Sequence, residues 1–252
     1  MNTINCSDHD RCSVIMARTG RVELYERLVI KRLYDSGRAE EEYALLQELY
    51  ELFPLKELDR WQYRAVKPLS FDSDGSIFME RATGVPLDQL VGKYPDMLYQ
   101  AGVWLALFHS GSRVRSGSDR EVYLFGDFSM PHLVIDRSEK IVTAIDPGYS
   151  FGCRGAAEKD LYSFVIGLIT FYLKRLKLPG SAVYRFLDGY YDNSRLTPDQ
   201  KALDKAMEPV LEKYRQRWKK RNLVKKALSG FYLALLSFYG KRLNARYVKL
   251  RQ

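Results

Sequence analysis

The sequence predicts a two-lobed α+β fold, in which a strand-rich first third containing one helix precedes a helical remainder containing one hairpin. Three observations predict it. Short apolar runs separated by turn residues fill most of residues 13–80, a pattern typical of paired strands. From residue 96 onward, apolar residues recur mainly at helical spacing. Strand-like and helix-like segments do not alternate along the chain, which argues against a sheet built from βαβ units.

The first third is predicted to form five strands and one helix. Apolar residues repeat at helical spacing after residue 38, and Pro54 ends that helix. Thr19 and Gly20 supply the first turn, and residues 72–75 supply another. The strands are expected at 13–18, 22–26, 28–34, 66–71 and 76–80.

The remainder is predicted to be helical around a hairpin of residues 133–136 and 141–145. An apolar helix over 96–109 is expected to end at Ser110 and Gly111. Four more helices are expected at 160–176, 183–191, 198–213 and 219–250. Residues 81–86 form a linker, so we expect an N-lobe over 1–81 and a C-lobe over 82–252.

Composition excludes several classes of protein. A chain of 252 residues that is 46% hydrophobic and 13% aromatic can form a core, which argues against disorder. The polar first residues do not predict a signal peptide, and the apolar run 161–173 is shorter than the ~20 residues of a membrane span. The three cysteines and three histidines lack metal-ligand spacing, so we expect free thiols in a reducing cytoplasm and no zinc site.

The net charge of +9 favours an anionic partner. Much of the excess lies in residues 215–226 and 241–251, on either side of the apolar segment 231–239. Basic residues near aromatic ones suit an anionic membrane surface or an acidic glycolipid, although a solvated helix face has the same pattern. No motif of a nucleic-acid-binding domain is present, so we expect no specific nucleic acid. The expected location is cytoplasmic, with a peripheral position at the inner face of the membrane if the basic region binds lipid.

Two aspartates, Asp127 and Asp146, stand at the edges of apolar runs that the predicted hairpin joins. Either one alone is an ordinary turn residue. Two carboxylates held in this way suit magnesium-dependent phosphoryl transfer. One would receive the proton of a hydroxyl group, and the other would hold the metal that bridges the nucleotide phosphates.

Lys31 lies within an apolar strand and needs an anionic partner if it points inward, because burying an unpaired ammonium group is costly. Glu42 precedes Leu45, Leu46 and Leu49 by three, four and seven residues, which places it on the core-facing side of its helix. Either residue alone could equally face solvent. Together they predict an ion pair that holds Lys31 on nucleotide phosphates.

From about residue 22 to 163 the chain resembles the aminoglycoside phosphotransferase and sugar-kinase branch of the protein-kinase-like fold. This branch includes bacterial kinases of lipopolysaccharide core sugars. The segments that carry the resemblance follow the order of the family: VIK at 29–31, EYALLQEL at 42–49, FMERATGVPL at 78–87, LALFHS at 105–110, GDFSMPHL at 126–133, IDPG at 145–148 and KDLYSF at 159–164.

The resemblance implies a role for each segment. Lys31 would bind phosphates with Glu42 as its partner, and the hinge backbone from Glu80 to Ala82 would meet adenine. Asp127 would be the catalytic aspartate and Asp146 the magnesium ligand. Asp160 would brace the catalytic loop without reacting itself.

Three positions depart from the family pattern. Phe125 replaces the usual histidine before the glycine of the catalytic loop, at a position that is mostly structural. His132 replaces an asparagine that serves as a second magnesium ligand. An imidazole suits magnesium less well, so His132 would weaken one metal site, prefer another metal or contact a phosphate, unless it is simply packed. No glycine-rich loop precedes Lys31.

The resemblance implies a kinase that uses ATP and Mg²⁺ and transfers the γ-phosphate to a hydroxyl group. The basic C-terminal region favours a carbohydrate or glycolipid acceptor, such as a lipopolysaccharide core sugar, over a cationic aminoglycoside. An aminoglycoside-type kinase and a pseudokinase-like binding module remain alternatives. A basic nucleic-acid-binding protein ranks last.

Overall fold

The structure is a computed structural model, and it describes residues 11–16, 20–116, 121–148, 151–175, 177–219 and 223–251. The strands are β1 (Arg11–Met16), β2 (Gly20–Tyr25), β3 (Leu28–Leu33), β4 (Lys56–Leu58), β5 (Trp61–Ala65), β6 (Pro68–Phe71), β7 (Ser76–Glu80), β8 (Val85–Pro86), β9 (Glu121–Tyr123), β10 (Leu133–Asp136), β11 (Ile141–Ala144) and β12 (Arg154–Ala156). The helices are α1 (Ala39–Leu52), α2 (Leu87–Leu90), α3 (Met97–Ser116), α4 (Glu158–Leu173), α5 (Gly180–Asn193), α6 (Gln200–Lys219) and α7 (Leu223–Arg251).

The predicted α+β class is confirmed, because strands dominate the first part of the chain and helices the remainder. The chain divides into two compact units. The first comprises residues 1–84 and 134–147, and the second comprises 85–133 and 148–252. The hairpin of β10 and β11 thus groups with the early strands, and the lobe boundary expected after residue 81 stays a prediction.

The first unit contains an antiparallel sheet in the order β1-β2-β3-β7-β6. Alternate residues of a strand share a face, so Val29, Lys31 and Leu33 of β3 lie on the same side. On that side Leu33 packs in a core with Ala39 and Leu46 of α1. The strand therefore directs Lys31 toward the side of the sheet that α1 covers.

A second sheet of the first unit pairs β4, β5, β11 and β10 in that order. The sequence analysis missed β5 and expected a strand over 66–71, whereas β6 begins only at Pro68. β5 lies parallel to β11, with Gln62 opposite Ile141 and Ala65 opposite Ala144. Because β11, the strand that pairs with β5, comes much later in the chain, the residues around β5 carry no local signal of a strand. The expected turn at Thr19 lies outside the described residues.

Helices make up most of the second unit, with β9 and β12 as an antiparallel pair. At Gly189 of α5, an added Cβ would lie only 2.0 Å from the carbonyl oxygen of Tyr99 in α3, so the close approach of these helices requires glycine. The predicted end of α3 at Ser110 and Gly111 is wrong, because the helix continues to Ser116. A helical glycine costs about 1 kcal/mol, which tertiary packing readily outweighs.

α7 is held against the helical core by Asn244, whose exposed fraction is 2%. Its amide donates a hydrogen bond of 2.9 Å to Asp204 Oδ1 of α6 and another to the Tyr162 hydroxyl of α4. Within the described part of the chain, none of the helices combines the length and apolar character needed to cross a membrane.

Candidate active site

Lys31 lies between two carboxylates that come from different parts of the first unit. Its side chain forms an ion pair with Glu42 of α1, and its Nζ lies 2.8 Å from Oδ1 of Asp146, which follows β11. Glu42 shares the inward side of α1 with Leu46 and Leu49, four and seven residues later. The pairing of Lys31 with Glu42 is thus present, and Asp146 joins it.

Electrostatics keep Lys31 charged although only 8% of its surface is exposed. Burial alone lowers the pKa of an ammonium group, but the carboxylates of Asp146 and Glu42 outweigh it and raise the pKa of Lys31 above its ordinary value. The cluster therefore presents a fixed cation. Asp146 remains 47% exposed in its side chain, so its carboxylate is open to further ligands.

The backbone at Asp146 is unusual, with φ at 57°. This left-handed conformation is uncommon outside glycine, and aspartate is among the residues that adopt it most readily. Uncommon backbone conformations of this kind concentrate at functional sites. The conformation sets the direction of the Asp146 side chain where the chain leaves β11.

A second charged cluster, missed by the sequence analysis, lies on the opposite face of the same sheet. Glu23 of β2 is only 2% exposed and accepts hydrogen bonds from Arg21, Tyr25 and Arg32. Burial raises the pKa of Glu23, but these hydrogen bonds outweigh it and lower the pKa to about 2. The register that places Arg21 opposite Arg32 creates the cluster, and sequence spacing alone does not reveal that register.

Of the predicted hinge residues in the first unit, Glu80 is the last residue of β7 and Ala82 follows the strand. The Glu80 side chain forms an ion pair of 3.1 Å with Arg64, which also donates a 3.2 Å hydrogen bond to Thr143 Oγ1. Ala82 is half-buried in an irregular segment. Contact of this backbone with adenine stays a prediction.

Asp127 lies in the second unit, in a loop whose neighbouring aromatic side chains are both buried. Phe125 and Phe128 are 0% exposed and pack with Trp104 of α3, whereas Asp127 itself is exposed. Gly126 adopts φ of 92°, which suits a tight turn. The buried rings therefore anchor the loop on either side of an exposed carboxylate. The buried contacts of the Phe125 ring explain why an aromatic side chain fits at this position.

Asp160 of α4 holds this loop through its backbone. Its carboxylate accepts hydrogen bonds from the N–H groups of Phe125 at 2.6 Å and Gly126 at 3.1 Å. It also lies 3.2 Å from Nε2 of His109, whose Nδ1 lies 3.0 Å from the Tyr190 hydroxyl. A carboxylate only accepts, so Nε2 donates to Asp160. His109 is one of three histidines scattered along the sequence, so spacing gives no sign of this contact.

Gly148 brings the segment after Asp146 against the same loop of the second unit. Its N–H donates a 3.1 Å hydrogen bond to the carbonyl oxygen of Phe125. An added Cβ at Gly148 would lie 2.5 Å from the backbone nitrogen of Asp127. Any residue larger than glycine would push the two segments apart. The glycine that follows Asp146 in the sequence therefore serves close packing beside Asp127.

His132 contacts the backbone of the Asp127 loop. Its Nδ1 lies 2.8 Å from the carbonyl oxygen of Asp127, and a carbonyl only accepts, so Nδ1 carries the proton. A metal ion could then be bound only through Nε2. The observed contact joins the His132 ring to the Asp127 loop within the second unit. The expected role of His132 as a metal ligand stays a prediction.

The fit of a magnesium ion rests on Asp146. Mg²⁺ is commonly bound by one or two carboxylates together with substrate phosphates and water. Within the described ranges, no three histidine, cysteine, aspartate or glutamate side chains cluster closely enough to hold a metal on their own. A half-exposed carboxylate beside Lys31 fits an ion that a nucleotide brings with it.

No family model and no curated protein sequence matches the chain. Several solved structures, in contrast, are similar to the chain. A choline/ethanolamine kinase family protein from Mesorhizobium loti has a TM-score of 0.58 at 10% identity, covering 92% of this chain and 91% of its own. The ADP-bound aminoglycoside phosphotransferase APH(2'')-Ib has a TM-score of 0.57 at 11% identity, covering 93% of each chain.

A third similar structure is an APH(2'') enzyme in complex with GDP and kanamycin. Its TM-score is 0.56 at 10% identity, with 91% of this chain and 94% of its own covered. Identities this low show the fold and nothing finer. The chain thus has the protein-kinase-like phosphotransferase fold that these kinases share.

Proposed function

We propose that the protein is an ATP-dependent phosphotransferase that transfers the γ-phosphate to a hydroxyl group of a carbohydrate or glycolipid. The observation that carries this proposal is Lys31, a buried cation held by Glu42 of α1 and Asp146 after β11. Protein kinases require both a strand lysine paired with a helix glutamate and an aspartate that binds magnesium. The three residues found together here are of those types, on those kinds of elements.

In this proposal the first unit binds the nucleotide. Lys31 binds the α- and β-phosphates, Glu42 holds Lys31, and the backbone from Glu80 to Ala82 meets the adenine. Asp146 would hold Mg²⁺, and the ion when bound would supply positive charge to the phosphates. When phosphates occupy the site, Lys31 exchanges part of its contact with Asp146 for phosphate oxygens. Asp146 then becomes available to the metal.

Asp127 supplies the base. The exposed carboxylate orients the acceptor hydroxyl and receives its proton as the oxygen bonds to the γ-phosphorus and the bond to ADP breaks. The buried rings of Phe125 and Phe128 and the bonds from Asp160 hold the loop before substrate arrives. Such preorganisation matters because phosphoryl transfer depends on positioning and on charge stabilisation more than on covalent chemistry.

Charge supports the choice of acceptor. Kinases of cationic aminoglycosides need carboxylates around the acceptor, whereas this chain carries a net charge of +9. A sugar that bears phosphate or carboxylate groups, such as the core sugars of lipopolysaccharide, suits a basic protein better. The proposed use of ATP and the free thiol of Cys153 favour a cytoplasmic location.

An aminoglycoside acceptor is the second candidate. One of the similar structures contains kanamycin, so the shared fold accommodates such acceptors in that protein. Transfer from ATP to a panel of neutral sugars, phosphorylated sugars, lipopolysaccharide core oligosaccharides and aminoglycosides separates the two candidates. Phosphorylation of aminoglycosides alone would overturn the proposed acceptor class and leave the phosphotransferase itself standing.

The decisive test combines nucleotide binding with transfer. Mg²⁺ and ATP at ~100 times the dissociation constant should stabilise the protein by about 2.7 kcal/mol. Asp127→Asn should keep that stabilisation and reduce phosphate transfer ~10³-fold or more, whereas Glu139→Gln, an exposed carboxylate between β10 and β11, should change neither.

Two results would contradict the proposal. Absence of stabilisation by ATP with any divalent cation would argue against a nucleotide site. Stabilisation by ATP without transfer to any acceptor, or transfer that Asp127→Asn leaves intact, would favour the pseudokinase-like binding module or a different base.

A further inference from the structure

α7 carries most of the net charge of the protein. Over Leu223–Arg251 it contains no aspartate or glutamate, while the whole chain has a net charge of +9. Its basic residues are Lys225, Lys226, Lys241, Arg242, Arg246, Lys249 and Arg251. A helix of this length without any acidic residue does not use the ion pairs along its own surface that commonly stabilise exposed helices.

One side of α7 faces the protein interior. Leu243, Asn244 and Tyr247 are buried, and Asn244 binds Asp204 as described above. Arg251 also turns to this side, where its guanidinium pairs with Asp188 at 3.1 Å and Asp192 at 2.6 Å. The carboxylates that α7 contacts in the described structure therefore lie on its inner side.

The other side is basic and exposed. Lys241, Arg242, Arg246 and Lys249 are exposed. Arg242, Arg246 and Lys249 follow one another at intervals of four and three residues, and Lys241 precedes Lys249 by eight, which places the four side chains on one broad face. None of the ion pairs within the described ranges involves these four side chains.

The positive field of this side reaches α5. The pKa of the Tyr184 hydroxyl on α5 is raised by burial, and the nearby guanidinium groups of Arg246 and Arg242 oppose this rise only in part. Two arginines of α7 thus act on a side chain of the neighbouring helix.

Large apolar side chains lie on the same side of α7. Phe238 is 58% exposed and Leu250 is 66% exposed. Phe238 precedes Arg242 by four residues and lies among the basic side chains, whereas Leu250 follows Arg246 by four residues and the buried Leu243 by seven, which places it at the edge of this side. We call the side formed by Phe238, Lys241, Arg242, Arg246, Lys249 and Leu250 the basic face.

We propose that the basic face binds the surface of an anionic lipid bilayer, with α7 lying parallel to the membrane plane. Lysine and arginine would contact the anionic headgroups, and the Phe238 ring would enter the boundary between headgroups and acyl chains. Charge alone would also suit nucleic acid. Exposed phenylalanine and leucine among the charges favour a bilayer, because a phosphate backbone offers no apolar layer for them. This proposal is independent of the phosphotransferase activity.

Vesicle co-sedimentation tests it with the full-length chain. At low salt the protein should bind vesicles of phosphatidylcholine with ~30% phosphatidylglycerol and not vesicles of phosphatidylcholine alone. Arg242→Glu combined with Lys249→Glu should weaken binding by more than the ~30-fold expected from merely removing two charges. Phe238→Ser should weaken binding in a way that added salt does not change, because the lost contribution is apolar.

The matched control is Lys56→Glu combined with Lys67→Glu. These exposed lysines of the first unit undergo the same change of charge, and this variant should still bind. Equal loss in the control and the α7 variant would show a general effect of net charge and overturn the proposal. Equal binding to neutral and anionic vesicles, or no binding to anionic vesicles, would also overturn the proposal. Tighter binding of an unrelated DNA duplex, lost in the α7 variant, would assign the face to nucleic acid.

Discussion

The clusters around Lys31 and around Asp160 both bury an ionisable side chain, yet their partners are of opposite kinds. Lys31 is held by two carboxylates, Glu42 and Asp146, and one of these remains half-exposed. Asp160 is 1% exposed and is held by backbone N–H groups and by His109, itself equally buried. The first cluster has a partner that a ligand could replace, whereas the second is closed off from solvent by buried groups of the protein.

The difference separates binding from positioning. A charged cluster with an accessible carboxylate can exchange contacts with phosphate and metal at modest cost. A sealed carboxylate whose partners are backbone groups fixes the shape of a loop and offers no exchange. Variants of the Lys31 cluster should therefore affect nucleotide use, and variants of the Asp160 cluster should affect folding and the Asp127 loop.

The largest effect is expected at Lys31. Lys31→Met should lower kcat/KM for ATP by ~10²–10³-fold, because the phosphates lose a preorganised cation, and it should also lower the free energy of unfolding, because Glu42 and Asp146 lose the cation they share. Steady-state kinetics and urea unfolding measure the two quantities. Arg32→Met is the matched control, since it removes a cation from the opposite face of the same strand. An equal reduction of kcat/KM for ATP in the two variants would contradict the role of Lys31 in nucleotide use.

Asp160→Asn should act mainly on stability. The carboxylate of Asp160 accepts hydrogen bonds from several donors, and the NH₂ group of asparagine would face one of these donors instead of accepting from it. The free energy of unfolding should therefore fall by ~2–3 kcal/mol. Transfer activity should fall as well, with ATP affinity unchanged. Tyr190→Phe removes the hydroxyl that contacts His109, further from the loop, and should cost ~1 kcal/mol. Unchanged unfolding of Asp160→Asn in urea would contradict the positioning role.

Glu42→Gln sharpens the comparison within α1. Removing one of the two charges that hold Lys31 should lower kcat/KM for ATP about tenfold, because the lysine loses part of its restraint. Glu41 is the next residue on the helix and is exposed, so Glu41→Gln should leave the kinetics unchanged. If both variants behave alike, the ion pair seen in the structure has no part in nucleotide use.

The smallest effect is expected from Glu23. Its folded-state pKa of about 2 lies below the ordinary value of 4.5, so its stabilising contribution is present above the ordinary value and is lost as pH falls toward the folded value. The free energy of unfolding should therefore fall more steeply for the parent protein than for Glu23→Gln between about pH 5 and pH 3. Parallel pH profiles would show that Glu23 does not contribute.

Local pattern predicted those parts of the fold whose signals are local. Glu42 on the inward side of α1 follows from the spacing of three leucines, and β10 follows from a short apolar run ended by a turn. β5 was missed, because its polar and aromatic residues form a strand only through β11. The early end predicted for α3 was wrong, since packing of the helix overrides the glycine.

By itself the sequence determined the α+β class, the order of the kinase-like segments and the residue types available for chemistry, because periodicity and turn residues act over a few positions. Only the tertiary structure decided that Asp146 shares Lys31 with Glu42, that His109 and Asp160 fasten the Asp127 loop, and that Glu23 gathers two arginines. Those contacts join residues far apart along the chain or depend on strand register, which burial and hydrogen-bond satisfaction select and which no local pattern encodes.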